Sequence, residues 1–325
     1  MSRLIEGTST TPAPPPRALP HTRAESGSPG LGVFARALIR DKVTLAALVF
    51  IVAVVFLAVA ADFVSPHDPY AQSLLLRNEG LMTPASSGIP YVLGTDALGR
   101  DVLSRLIYGA RISLAVGLAS VAFSGVLGTV LGLLAGFYRG RVENIIMRIV
   151  DVQMGFPSLL VALIILYGAS PGFVNVVIVL AITRWMVYAR VTRSLVLSLR
   201  EVSFVEAARA LGCTDRRIIF RHMLPNVFSS LLVLANMEIA TVMLTEASLD
   251  FLGLGIQPPE SSWGLMLAQG RQYITTAWWL VTFPGVAILL TTLSFNLLAT
   301  WLRAVTDPVQ RWHWLGLTRG EAKSA

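Results

Sequence analysis

The sequence predicts an all-α, polytopic membrane protein: six helices crossing the bilayer, joined at one face by a charged helix-turn-helix. Three observations lead there. The 325 residues are 54% hydrophobic and only 14% charged, with a mean hydropathy of +0.66, whereas soluble domains carry about 25% charged residues. Apolar runs of bilayer length recur along the chain. The arginines and lysines collect in alternate connecting segments.

Residues 1–35, with "TTPAPPPRALPHTRAESGSPG", are rich in Pro, Ser, Thr and Gly and lack an apolar face. They are expected to form a disordered cytoplasmic tail. No short apolar stretch with a small-residue cleavage site follows, so no removable signal peptide is expected. Residues 36–310 form the membrane domain, and 311–325 a cytoplasmic C-terminal tail.

An α-helix rises about 1.5 Å per residue, so roughly 20 apolar residues cross a hydrocarbon core about 30 Å thick. Residues 43–61 do this without a charge. Residues 112–137 follow, with Gly128, Gly132 and Gly136 at four-residue spacing, which lets a neighbouring helix approach closely. Residues 149–167 span if Asp151 sits near one end, where Arg148 can pair with it. Residues 227–249 contain Glu238 and Glu246. Residues 278–302 begin with aromatic residues and carry Trp301 near the end, as interfacial anchors.

Residues 173–188 are short, because Arg184 interrupts them, and charge decides their fate. With six spans and the N-terminus inside, only Arg77, Arg100, Arg105, Arg111 and Arg271, of 26 basic residues, lie outside. Arg184, Arg190, Arg193, Arg200, Arg209, Arg216, Arg217 and Arg221 fall together after the fourth span. Without that span they would move outside, against the positive-inside bias. Both termini are therefore expected in the cytoplasm. The net charge of +7 then faces anionic inner-leaflet lipid, and no nucleic-acid partner is called for. The Gly and Pro content of the outer segments, 62–111 and 250–277, suggests ordered turns with short surface helices.

One polar stretch stands apart. Residues 200–226 contain "EAARALGCTDRRIIFRHMLPN". Ser203 and Glu206 have capping-box spacing. Phe204, Val205, Ala208 and Leu211 recur at helical spacing, and Gly212 is a natural stop. Thr214 can cap a second short helix with apolar Ile218, Ile219 and Met223, and Pro225 is expected to prevent its simple continuation into the next span. Read physically, this pair of helices fits either a hairpin on lipid headgroups or a plug for a protein surface. The small Ala207 and Ala208 favour the protein surface.

"EAARALG" followed after nine residues by "HMLP" resembles the EAA loop of membrane subunits in bacterial ATP-binding-cassette importers. Glu206, Ala207, Ala208, Gly212, Leu224 and Pro225 match the loop's loose consensus, with His222 in place of an isoleucine. "LGTDALGRDVLSRLIYGARISL", "ASLDFLGLGIQPPESSWG" and "FPGVAILLTTLSFNLL" are similar to one branch, the second permease of dipeptide, oligopeptide and nickel importers. The resemblance covers residues 36 to 310. Two features depart from it: the ending "LATWLRAVTDP" and the long proline-rich tail.

The resemblance implies a type I importer permease in the bacterial inner membrane. It implies a heterodimer with a homologous permease, two cytoplasmic ATPase subunits and an extracytoplasmic solute-binding protein. It also implies that the EAA loop seats in a cleft of the ATPase, with Glu206 capping its own helix or pairing with that partner.

The chain itself offers no ATP site. A phosphate-binding loop needs Gly-Lys, and the only lysines, Lys42 and Lys323, do not follow glycine. ATP and Mg are expected on the partner ATPases, with no cofactor, metal site or catalytic residues here. Single Cys213 excludes an intrachain disulfide and a multi-cysteine metal site, and His21, His67, His222 and His313 are too dispersed for a ligand set. Glu238 and Glu246 are the intramembrane acids. Such groups face a bundle interior or a water path, so they either line the pathway or hydrogen-bond a neighbouring helix. An ion-coupled secondary transporter built on these two glutamates is the rival reading; it calls for inverted repeats, which are not evident. Dipeptides, longer peptides, glutathione-like compounds, opines and nickel complexes all fit the branch as solutes.

Overall fold

A computed structural model describes residues 38–85 and 88–306, and the two tails lie outside this range. The regular structure of the described residues is helical, with no strand beyond two isolated bridges, Thr83 to Tyr91 and Thr95 to Asp101. Among the described residues five helices are long and apolar enough to cross a membrane, or six if one sharply bent pair counts as a single span.

Helix α1 (Lys42–Val59) starts at Asp41, whose carboxylate accepts from the Val43 and Thr44 backbone N–H groups. Val49, Val52, Phe56 and Val59 face outward, as befits a helix in lipid. Short α2 (Ala61–Val64) follows. Helix α3 (Val102–Tyr138) has 37 residues, starting ten before the apolar window. Its extension begins at Asp101, which accepts from the Ser104 N–H at 2.9 Å.

Helix α3 packs most extensively on α6 (Phe173–Arg200), and its glycines are the reason. A Cβ on Gly128 would lie 2.2 Å from the Trp185 carbonyl oxygen, and one on Gly132 would lie 2.6 Å from that of Ala189. Gly136 abuts Val196 in the same way. The backbones touch because these residues lack side chains.

The stretch expected to be a third continuous span is broken. Helices α4 (Gly140–Met154) and α5 (Ser158–Gly168) meet at 89°. Pro157 lacks an N–H and bars Phe156 from helical backbone, and Gly155 ends α4. Asp151 pairs with Arg190 of α6, not with Arg148. Arg193 of α6 likewise holds Glu143 of α4. These pairs explain how α6 continues past Tyr188 as a 28-residue helix despite its arginines.

Helix α7 (Ser203–Ala210) leads through a glycine turn to α8 (Asp215–Phe251), then α9 (Trp263–Gly270) and α10 (Trp279–Thr306). At the end opposite α7, the Trp263 indole donates to the Leu106 carbonyl at 2.8 Å, and that of Trp279 to the Thr95 carbonyl at 3.2 Å. Residues 250–277 and 62–101 are thereby pinned onto α3 and α10. Beside them the Arg111 guanidinium and the Tyr108 hydroxyl hold the Asp62 carboxyl below the usual carboxylate range.

Candidate functional site: the helix-turn-helix and the buried carboxylates

The EAARALG segment forms α7 and its stop. The Gly212 N–H donates to the Arg209 carbonyl at 2.9 Å, and the Cys213 N–H to that of Ala208 at 3.0 Å. With Gly212 at φ +77°, this is a Schellman turn, which needs a residue tolerant of left-handed backbone. The expected capping box does not form. Val202 is the N-cap, without a side-chain cap, and Ser203 already lies in the helix. Glu206 is therefore not a cap, and its exposed carboxylate has no ion pair or side-chain hydrogen bond among the described residues.

The apolar face of α7 divides. Val205 and Ala208 are buried with Ile218, Ile219 and Met223, whereas Phe204 and Leu211 face outward, Leu211 84% exposed. Ala207 and Gly212 are exposed beside them. The Arg209 guanidinium sits 5.2 Å from the centre of the Phe137 ring, and Arg200 donates to the Phe137 carbonyl at 2.8 Å. The segment is thus fastened to the ends of α3 and α6.

Pro225 does not interrupt the chain's course, contrary to expectation. Helix α8 runs for 37 residues from Asp215, with a π-helical stretch at Ile218–Met223. There the Leu224 N–H bonds the Ile219 carbonyl, five residues back. The widened turn makes room for a proline, and the Asn226 amide donates to the His222 carbonyl at 2.6 Å, satisfying an acceptor near the missing N–H. Leu224 and Pro225 therefore lie inside a rod that continues into the membrane.

Glu238 and Glu246 both lie inside the subunit. Glu238 is 6% exposed and grips Arg184 through Nε at 2.7 Å and Nη2 at 2.8 Å. Sequence reasoning did not link these two, since 54 positions separate them. Tyr188, one turn beyond Arg184, has a buried hydroxyl without a partner among the described residues. Glu246, 1% exposed, lies one turn before Asp250. The Asp250 carboxylate accepts from the Ile256 N–H at 2.5 Å and from the Ser262 hydroxyl. Gly255 and Gly264 press against that carboxylate, so "ASLDFLGLGIQPPESSWG" folds around one acid.

Comparison with known proteins settles the family. Residues 128–311 match the binding-protein-dependent transport system inner membrane component family. The chain belongs to this family. Residues 31–84 match the N-terminal transmembrane domain of oligopeptide transport permease C. A di/tripeptide transport system permease protein of Pseudomonas aeruginosa is 43% identical over 85% of this chain and 91% of its own. A glutathione transport system permease protein of Pectobacterium atrosepticum is 42% identical over 85% and 90%. A probable D,D-dipeptide transport system permease protein of Escherichia coli is 37% identical over 82% and 87%. Among solved structures, a chain of the MetNI methionine ABC transporter in an inward-facing conformation superposes with a TM-score of 0.50. It is 21% identical, covering 62% of this chain and 97% of that one.

The protein is accordingly a multi-pass inner membrane permease component of an ABC importer, with the type I permease fold. No cluster of three or more metal-ligating side chains occurs among the described residues.

Proposed function

We propose that this permease forms half of a translocation pathway for peptides or related small solutes and takes its power stroke through α7 and the start of α8. In this reading both termini are cytoplasmic. A homologous permease completes the pathway, two ATPase subunits carry ATP and Mg and perform the hydrolysis, and an extracytoplasmic binding protein delivers solute. Substrate class rests on relatives whose names specify di/tripeptide, D,D-dipeptide and glutathione transport.

The observation that carries the reading is mechanical. Exposed Glu206, Ala207, Phe204 and Leu211 form a contact surface on α7, and buried Val205 and Ala208 lock α7 onto the helix that becomes a span. A push on α7 by a closing ATPase cleft is delivered to α8 through this packed contact, across the short glycine turn. The spans then exchange inward- and outward-open arrangements, the outward one accepting solute and hydrolysis resetting it. The ion-coupled alternative needs both Glu238 and Glu246 free to take a cation, whereas two hydrogen bonds from Arg184 occupy the Glu238 carboxylate.

Gly212→Asp tests this. No atom lies within 4 Å of a Cβ placed there, so the substitution acts through left-handed backbone strain and added charge at the turn. The variant is expected in the membrane at normal abundance, with ATP hydrolysis uncoupled from uptake. Wild-type uptake would refute the lever.

A further inference from the structure

Three of the five arginines that the charge pattern assigns to the outer side line one cavity, and a fourth bonds one of its lining residues. The cavity measures about 650 Å³ and lies between the start of α3, the end of α8 and α9, opposite α7. Arg100 and Arg105 line it at 7% and 3% exposure. Arg271 lines it too, and Arg77 donates to the hydroxyl of lining residue Tyr273 at 3.0 Å. The fifth, Arg111, is engaged elsewhere with Asp62 at 2.9 Å.

Charge at this cavity does not balance. Arg100 Nε donates to Asp96 Oδ2 at 2.7 Å, and Arg105 Nη1 donates to the same oxygen. Their other shared acceptor is neutral: Gln269 Oε1 receives Arg105 Nη2 at 3.0 Å and Arg100 Nη2 at 3.4 Å. Asp250, the second carboxylate lining the cavity, is committed to Ile256 and Ser262. Two buried guanidinium groups therefore share one carboxylate. A buried cation without its anion is costly, and the positive-inside bias already disfavours arginine on this side.

A second carboxylate would cancel the surplus, and the cavity has room for the molecule bearing it. Its volume falls within the range of about 300–1,000 Å³ usual for small-molecule sites and exceeds what one inserted side chain would fill. Gln257, Gln272 and Tyr273 offer polar contacts, and Phe251, Leu265 and Leu280 apolar ones. We propose that this cavity is a subsite for the carboxylate of a small peptide-like solute, gripped by Arg100 and Arg105 at the outer end of the permease. This rests on the importer reading above.

The test uses the full chain in nanodiscs, assembled with the permease and ATPase subunits that co-purify with it and without a binding protein. Equilibrium binding is measured for dialanine and for dialaninamide, which lacks the carboxylate. Dialanine is expected to bind about tenfold more tightly, the worth of one charge-assisted contact. Gln269→Glu supplies the missing carboxylate internally. It is expected to keep or raise thermal stability while abolishing the preference for dialanine. Equal binding of the two probes by the wild type, an unchanged preference in Gln269→Glu, or loss of stability in that variant would each overturn the subsite. If the preference is absent while Gly212→Asp still uncouples uptake, the subsite fails and the importer reading stands.

Discussion

Arg184 of α6 holds Glu238 of α8 by two parallel hydrogen bonds, at 2.7 and 2.8 Å, joining an arginine that the charge pattern assigns to the cytoplasmic side to an acid within an apolar span. Each charge makes the other tolerable there. A lone charge at mid-bilayer costs about 2.5–3.5 kcal/mol on insertion scales, and losing one member of a buried pair costs about 3–5 kcal/mol. Glu238→Gln is therefore expected to destabilise the permease strongly. The double replacement Arg184→Met with Glu238→Met should recover most of the loss, because no unpaired charge remains. Thermal unfolding in detergent measures both.

The glycine seam between α3 and α6 makes a graded prediction. Gly132→Val inserts a side chain where even a Cβ would lie 2.6 Å from the Ala189 carbonyl oxygen, and should leave little folded protein. Gly125→Ala is the control. Its Cβ would meet Tyr188 at an ordinary 3.5 Å, so the gain of about 1 kcal/mol in helix propensity should leave stability equal or higher. Fluorescence-detected size-exclusion chromatography separates the two outcomes.

Asp250 organises the segment after α8. Asp250→Ala removes the acceptor for the Ile256 N–H and the Ser262 hydroxyl, each a buried donor whose orphaning costs about 1–3 kcal/mol. Limited proteolysis should then cut within 253–262, where the wild type resists. Ser262→Ala removes one of those bonds and also the cap on the Leu265 N–H at the start of α9, so it should loosen the same segment.

Orientation is tested at Cys213, the single cysteine. It sits half-buried in the turn after α7. A membrane-impermeant maleimide should modify it in inside-out vesicles and spare it in right-side-out ones. The reverse pattern would place α7 on the wrong side for contact with an ATPase.

Local chemistry made part of this structure legible from sequence. Gly212 ends α7 as its neighbours require, and the four-residue glycine spacing announced a close helix contact. Hydropathy located the apolar centre of each span but not its ends. Helices α3 and α8 extend beyond their apolar windows because Asp101 caps one and a π-helical turn absorbs Pro225 in the other. The break between α4 and α5 was written in "MGFPS", yet apolar residues on both sides masked it. The capping box failed because Ser203 lies one residue inside the helix, a shift that spacing does not register. Arg184 with Glu238, Asp151 with Arg190, and Arg100 and Arg105 with Gln269 depend on which helices become neighbours, which no local pattern states.

The 37-residue continuity of α8 has a mechanical corollary. At about 1.5 Å per residue the rod is about 55 Å long, against a hydrocarbon layer about 30 Å deep, so it is longer than that layer is thick. One tip is the landing place of α7; the other carries Asp250 and the arginine-lined cavity. A stiff bar that pivots between its tips cannot shift one of them alone. In the proposed mechanism, a push at the landing place of α7 and a rearrangement of the arginine-lined cavity are therefore the two ends of a single see-saw.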